Sequence, residues 1–162
     1  LGLEIRPLGL ADAEAFAALI EALAHYEHLE PPDRAAQERL VRDGLGIGGP
    51  QRFEALLAHL DGRIVGYAIS FETYSTFLAL PTLYLEDLFV LPEARGMGVG
   101  AALFRACAQE AARRGCGRLE WQVLAWNDMA IGFYEHLGAE PLHADWRCYR
   151  LTGEALARVG GG

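Results

Sequence analysis

Val90-Leu91-Pro92-Glu93-Ala94-Arg95-Gly96-Met97-Gly98-Val99-Gly100 joins an apolar, strand-like run to an amphipathic helical one. Glycines at 96, 98 and 100 remove the side chains that would keep an anion from the backbone. The helix that follows aims unpaired N–H groups and its positive dipole end at the same point. Such a loop is a pyrophosphate cradle. Gly96-Met97-Gly98-Val99-Gly100-Ala101 also reads as G-x-G-x-x-A, with Glu120 about twenty residues on, as a dinucleotide fingerprint asks. Against a dinucleotide, residues 91–95 separate the strand from the first glycine, and Glu120 begins its strand instead of ending it. A loop that needs glycine only for flexibility is the plainer alternative.

Working outward, residues 83–91 form a strand that Pro92 ends, and residues 98–114 form a helix with Leu103, Phe104 and Cys107 on one face, stopped by Gly115 and Gly117. Residues 119–124 read as a strand. Asn127 caps a short helix to Leu137, which Gly138 ends, and residues 146–151 read as a last strand. Upstream, residues 53–60 and 63–71 are two strands. Asp61-Gly62 between them suits a type I′ turn, whose two central residues need positive φ. Leu3-Glu4-Ile5 alternates as a short strand closed by Pro7. Residues 12–27 carry Phe16, Leu19, Ile20 and Leu23 at helical spacing. Pro31-Pro32 interrupts, Asp33 caps a second helix over 33–42, and residues 44–50 are a glycine-rich loop. The order β, α, α, β-hairpin, β, α, β, α, β predicts an α+β (mixed α/β) fold in one domain spanning residues 1–162, with no room for a six-strand parallel sheet. Gly160 to Gly162 read as a frayed end.

Composition narrows the function classes. The net charge of −8 disfavours a nucleic-acid surface and favours cationic ligands. All fourteen basic residues are arginine, so no side-chain amine exists for self-acetylation. Cys107, Cys116 and Cys148 form no C-x-x-C pair and imply neither disulfide nor zinc framework. His25 and His28 lie three apart on a helix, but no second pair converges with them, so no metal is expected. No apolar run approaches the ~18 residues of a membrane span, and residues 1–10 lack signal-peptide character, so a cytoplasmic protein is expected.

The tract Arg95 to Gly100 resembles the Q/R-x-x-G-x-G/A acyl-CoA signature of the GCN5-related N-acetyltransferase (GNAT) superfamily, with Arg95, Gly98 and Gly100 in the marked places. A second block, Trp126-Asn127-Asp128-Met129-Ala130-Ile131-Gly132-Phe133-Tyr134-Glu135-His136-Leu137-Gly138, is similar to its N-x-x-A-x-x-F-Y-x-x-x-G segment. Within the superfamily the chain most resembles diamine acetyltransferases of the spermidine/spermine type. That likeness is carried by Ala24-His25-Tyr26-Glu27-His28-Leu29-Glu30, Asp43-Gly44-Leu45-Gly46, Gly66-Tyr67-Ala68, Tyr84-Leu85-Glu86-Asp87-Leu88-Phe89-Val90, Trp126-Asn127 and Trp146-Arg147.

The resemblance implies a mostly antiparallel twisted sheet, splayed at the cofactor site and flanked by helices. It also implies acetyl-CoA as co-substrate, a small cationic amine as acceptor and a homodimer. The cofactor would be held by Leu88, Phe89, Val90, Arg95, Gly96, Met97, Gly98, Val99, Gly100, Ala101, Asn127, Asp128, Met129, Ala130, Phe133 and Tyr134. The amine would be held by Tyr26, Glu27, Glu86, Asp87, Glu120, Trp121 and Gln122. Transfer needs a neutral amine, and deprotonating a lysine-like group near neutral pH costs roughly 4 kcal/mol. Glu86 is the expected base or water-holder, and Tyr134 the expected acid for the leaving thiolate. Neighbours on a strand face opposite sides, so Glu86 and Asp87 share a cleft only if a bulge turns them. Edge-strand or dimer-contact carboxylates, a packed Tyr134 and a core Trp121 are the plainer alternatives. No cysteine occupies a nucleophile's place in either block, which implies direct transfer in a ternary complex. A non-catalytic acyl-CoA-binding protein on the same fold is the rival reading. Polyamine acetylators carry acidic and tryptophan positions where Ser75 and Phe77 stand here, and an acid near Ala144, so shorter diamines, lysine-like amino acids and an amine-bearing xenobiotic stay open.

Overall fold

Apolar alternation and well-placed turns build one five-stranded sheet. In the computed structural model, which describes residues 2–142 and 145–161, its strands are β1 (Leu3–Pro7), β2 (Glu54–Leu60), β3 (Arg63–Ser75), β4 (Leu80–Val90) and β5 (Arg118–Trp121). They lie side by side in chain order. The first three junctions are antiparallel and only β4–β5 is parallel. This excludes the doubly wound parallel sheet that a dinucleotide fingerprint requires. The turn from β2 to β3 has Asp61 at φ 49° and Gly62 at φ 83°, both positive as a type I′ turn demands.

Helices cover both faces. On one lie α1 (Ala13–Tyr26) and α2 (Arg34–Leu45), over a core of Leu8, Phe16, Leu19, Leu57, Tyr67 and Phe89. Asp33 caps α2 by accepting the Ala36 N–H at 2.8 Å. On the other face α3 (Val99–Arg113) covers Ala58, Val65, Ala68, Leu85, Leu103 and Cys107. Close approach of α3 to the sheet depends on Gly66, where a Cβ would come within 2.8 Å of the Phe89 carbonyl oxygen and 3.3 Å of Leu103. Arg114, just beyond α3, pairs with Glu110, Glu54 and Glu72 and so ties the helix end to β2 and β3.

The chain divides into two compact units, Leu1–Gln122 and Val123–Gly162. The second contains α4 (Asp128–His136) and α5 (Gly153–Val159). Here the structure departs from the sequence reading. Residues 146–151 form no strand, although Trp146, Tyr149 and Leu151 supply β-type side chains; these three are exposed. A strand pattern specifies a strand only where a neighbour takes its backbone groups. Helix α5 was not anticipated, because Gly153 and the terminal glycines frame a run too short to show a clear period. Elsewhere β3 and β4 extend past the expected 71 and 83 into a long hairpin, β5 stops at Trp121 instead of 124, and Gly44 lies inside α2. His143 and Ala144, where an acidic position was in question, lie outside the described residues.

Candidate active site

The loop between β4 and α3 is anchored on both sides by buried residues, Ala94 at 2% and Val99 at 1% exposure. Between them a short 3-10 turn, Pro92–Ala94, leads into Arg95. Gly96 and Gly98 then take φ of 76° and 82°. That is left-handed backbone that glycine adopts without strain. Among the described residues, the amides of Gly96, Met97, Gly98, Val99, Gly100 and Ala101 meet no backbone acceptor, and the first bond back is Ala102 N–H to Gly98 O at 3.0 Å. A Cβ placed on Gly96 or Gly98 would find nothing within 4 Å. An open, glycine-lined turn leading into the first turn of α3 fits a diphosphate, so the residues present suit an acyl-CoA.

Arg95 plays a different part from the loop amides. Its Nε donates to the Val90 carbonyl oxygen at 2.9 Å. Its guanidinium lies 4.9 Å from the centre of the Tyr26 ring and 5.6 Å from that of Phe89. Such cation–π contacts hold the end of α1 against the cofactor loop. The Tyr26 face expected to meet a substrate cation therefore meets Arg95 in this structure.

Strand β4 contains the decisive irregularity. Ile69 pairs with Asp87 and Ser70 with Leu85, which leaves Glu86 as an extra residue. Leu85, Leu88 and Val90 all join the core beneath α3, while Phe89 joins the core beneath α1. Strict alternation would separate Leu85 from Leu88. The bulge reconciles them and turns Glu86 and Asp87 to the α1 side together. Beyond the bulge β4 outruns its parallel partner, because pairing with β5 ends at Leu85–Trp121. Leu91 N–H donates to Val65 O, so by alternation the N–H groups of Leu88 and Val90 point to the edge that β5 does not reach.

Three carboxylates meet on this side. Asp87 accepts a hydrogen bond from the Tyr67 hydroxyl at 3.1 Å. Burial pushes its carboxyl up to about 6, against the lowering effect of that bond and with the negative charges of Glu86 and Glu27 adding to the rise. Burial also raises Glu27, at the end of α1. Glu86 is exposed. The charges of Glu27 and Glu86 both act on Asp87, which makes this side of the sheet, next to the loop, an anionic patch.

The remaining expected residues divide. Glu120 lies on β5 and pairs with Arg118 at 2.8 Å. Trp121 packs edge-on against Phe104, 5.2 Å between ring centres, beneath α3 and away from the carboxylates' face. Gln122 is exposed. In the second unit, Asn127 caps α4 by accepting the Ala130 N–H at 3.2 Å, with Asp128 and Met129 exposed in its first turn. Phe133 and Tyr134 are half-buried, their ring centres 5.3 Å apart. Tyr67 was missed as a site residue, since its core position hides a polar hydroxyl from any pattern-based reading. Among the described residues no group of three or more His, Cys, Asp or Glu could hold a metal, and no helix is long and apolar enough to cross a membrane.

The chain is similar to known proteins. Thialysine N-epsilon-acetyltransferase from Bos taurus is 34% identical over 97% of this chain and 96% of its own length. L-ornithine N5-acetyltransferase from Arabidopsis thaliana is 40% identical over 71% of this chain and 50% of its own length. The solved structure of AAC(6')-Iy with the bisubstrate analogue CoA-S-monomethyl-acetylneamine superposes with a TM-score of 0.75 at 20% identity, covering 93% of this chain and 100% of that one. Residues 15–139 match the Acetyltransferase (GNAT) family, to which this chain therefore belongs.

Proposed function

We propose that this acetyltransferase moves the acetyl group of acetyl-CoA to a primary amine of a small cationic substrate, a short diamine or a lysine-like amine. The observation that carries the reading is the grouping of Glu27, Glu86 and Asp87 on the sheet side next to the open glycine turn that leads into α3. Relatives named for thialysine and L-ornithine acetylation support a short cationic acceptor. A net charge of −8 steers such cations inward.

The bound thioester supplies an acyl carbon open to attack. The amides of residues 96–101 hold its diphosphate, and the Leu88 N–H faces the carbonyl oxygen; a donor so placed contributes roughly 3 kcal/mol. Asp87 and Glu27 attract the ammonium form of the amine. Glu86, at the bulge and exposed, takes the proton directly or through water. Tyr134 is assigned to the departing sulfur. A phenol near pKa ~10 does not fully protonate a thiolate whose acid has pKa ~8.5, so its hydrogen bond strengthens as charge develops without early transfer. We place the protein in the cytoplasm as a homodimer. Exposed apolar residues at the β3–β4 tip, Tyr74, Phe77 and Leu78, support a self-association surface, and sedimentation tests it.

Incubation with acetyl-CoA and a panel of amines, read by free thiol release, tests the function. Release with diamines or lysine-like amines is the expected result. Thermal stabilisation by acetyl-CoA without release from any amine would instead select the non-catalytic acyl-CoA-binding reading.

A further inference from the structure

Tyr67 is fully buried, wedged edge-on against Phe16 at 5.8 Å and 89° and tilted against Phe89 at 6.4 Å. Phenylalanine would fill such an aromatic slot equally well. A hydroxyl in a core costs free energy unless it is bonded. Its partner here is Asp87 Oδ2, on the turned segment of β4. We propose that Tyr67 is a positioning residue of the amine site, fixing the Asp87 carboxylate by donating to Oδ2 and leaving Oδ1 for the ammonium group of the substrate. This rests on the amine-acetylation reading above and assigns a new residue to that site.

The groups around Asp87 make such a tether useful. Glu86 precedes it on the same strand, Glu27 comes from the end of α1, and Arg95 stands over Phe89 and Tyr26. On β2 the residue opposite Tyr67 is apolar Leu57. Two anions and burial favour the neutral carboxylic acid, which cannot attract a cation. The Tyr67 hydroxyl acts the other way, since a donor stabilises the charged form. Burial and the nearby anions raise Tyr67 itself above the ordinary phenol range, so it stays a donor at every working pH. Occupying one oxygen also removes rotational freedom the carboxylate would otherwise have.

The test compares wild type, Tyr67→Phe, Asp87→Asn and the double variant by kcat and KM for the best amine across pH, with acetyl-CoA binding measured separately. Tyr67→Phe keeps the ring and hence the core. Its acidic limb in kcat/KM is expected to move up by about one pH unit, roughly a fivefold loss near pH 6 that approaches tenfold at lower pH, carried mostly by KM. Acetyl-CoA affinity should not change. In the Asp87→Asn background the same substitution should have no further effect on the limb. Superimposed profiles for wild type and Tyr67→Phe would overturn the proposal, as would an undiminished effect of Tyr67→Phe without the Asp87 carboxylate. A wild-type protein that releases no thiol with any amine would overturn the acetylation reading and the proposal together, and that silent control separates the two failures.

Discussion

Asp87→Asn should make the protein more stable and a poorer enzyme. The carboxyl of Asp87 titrates at about 6 in the fold against an ordinary 3.8, chiefly because it is buried. A raised carboxyl favours the protonated fold. Its stabilising effect is complete below the ordinary value and is lost as pH rises through about 6. Two units correspond to about 3 kcal/mol of penalty once the group is ionised. Asparagine keeps the size and can still accept from Tyr67, but its own amide must be desolvated, so a net gain of about 1–2 kcal/mol remains. For a chain of this length that is a rise of about 2–8 °C in Tm. Thermal unfolding of both proteins near pH 7.5 and near pH 4 checks it: the gain appears at the higher pH and vanishes at the lower, where both side chains are neutral. KM for the amine rises in the same variant. Equal offsets at the two pH values, or a less stable variant near neutrality, would refute a net cost of ionising Asp87 in the fold.

The other predictions concern the loop and the proton transfers. Gly98→Ala meets no neighbour within 4 Å but places alanine at φ 82°. It should lose about 1 kcal/mol of stability from backbone strain. It should also bind acetyl-CoA at least about tenfold more weakly by calorimetry, cutting the stabilisation seen at a ligand excess of ~100 Kd from about 2.7 to about 1.4 kcal/mol. Glu86→Gln should lower kcat at neutral pH by about a hundredfold with acetyl-CoA binding kept, whereas Tyr134→Phe should lower it by about tenfold, because a thiolate is already a fair leaving group. Thiol-release assays rank the two, and the reverse order would exchange their importance.

Much of the fold was legible because short-range physics decides it. Asp61-Gly62 dictated its turn, Asp33 and Asn127 dictated helix starts through the N–H groups they accept, and Pro92 and the glycines around 96–98 marked where β4 yields to α3. The failures share another cause. Residues 146–151 carry a strand's composition, yet composition supplies no partner for backbone N–H and C=O groups. Trp121 was open between cofactor-side core and substrate wall, and only packing against Phe104 places it beneath α3.

The site was legible in its residue types and illegible in its geometry, and Glu86-Asp87 shows why. Adjacent carboxylates on an ideal strand diverge, so the sequence could put only one of them on the α1 side. One residue more in β4 than in β3 changes that, bringing both to the α1 side. Nothing local in Leu85-Glu86-Asp87-Leu88 encodes the bulge. It follows from satisfying two cores at once, since Leu85, Leu88 and Val90 must reach α3 while Phe89 reaches α1. The same geometry lies where β4 outruns β5 and presents the Leu88 N–H. A pairing irregularity that long-range packing imposes thus gathers the anions, and the strand end beyond it offers the donor. The chemistry then depends on the register of β3 against β4 as much as on which residues those strands carry.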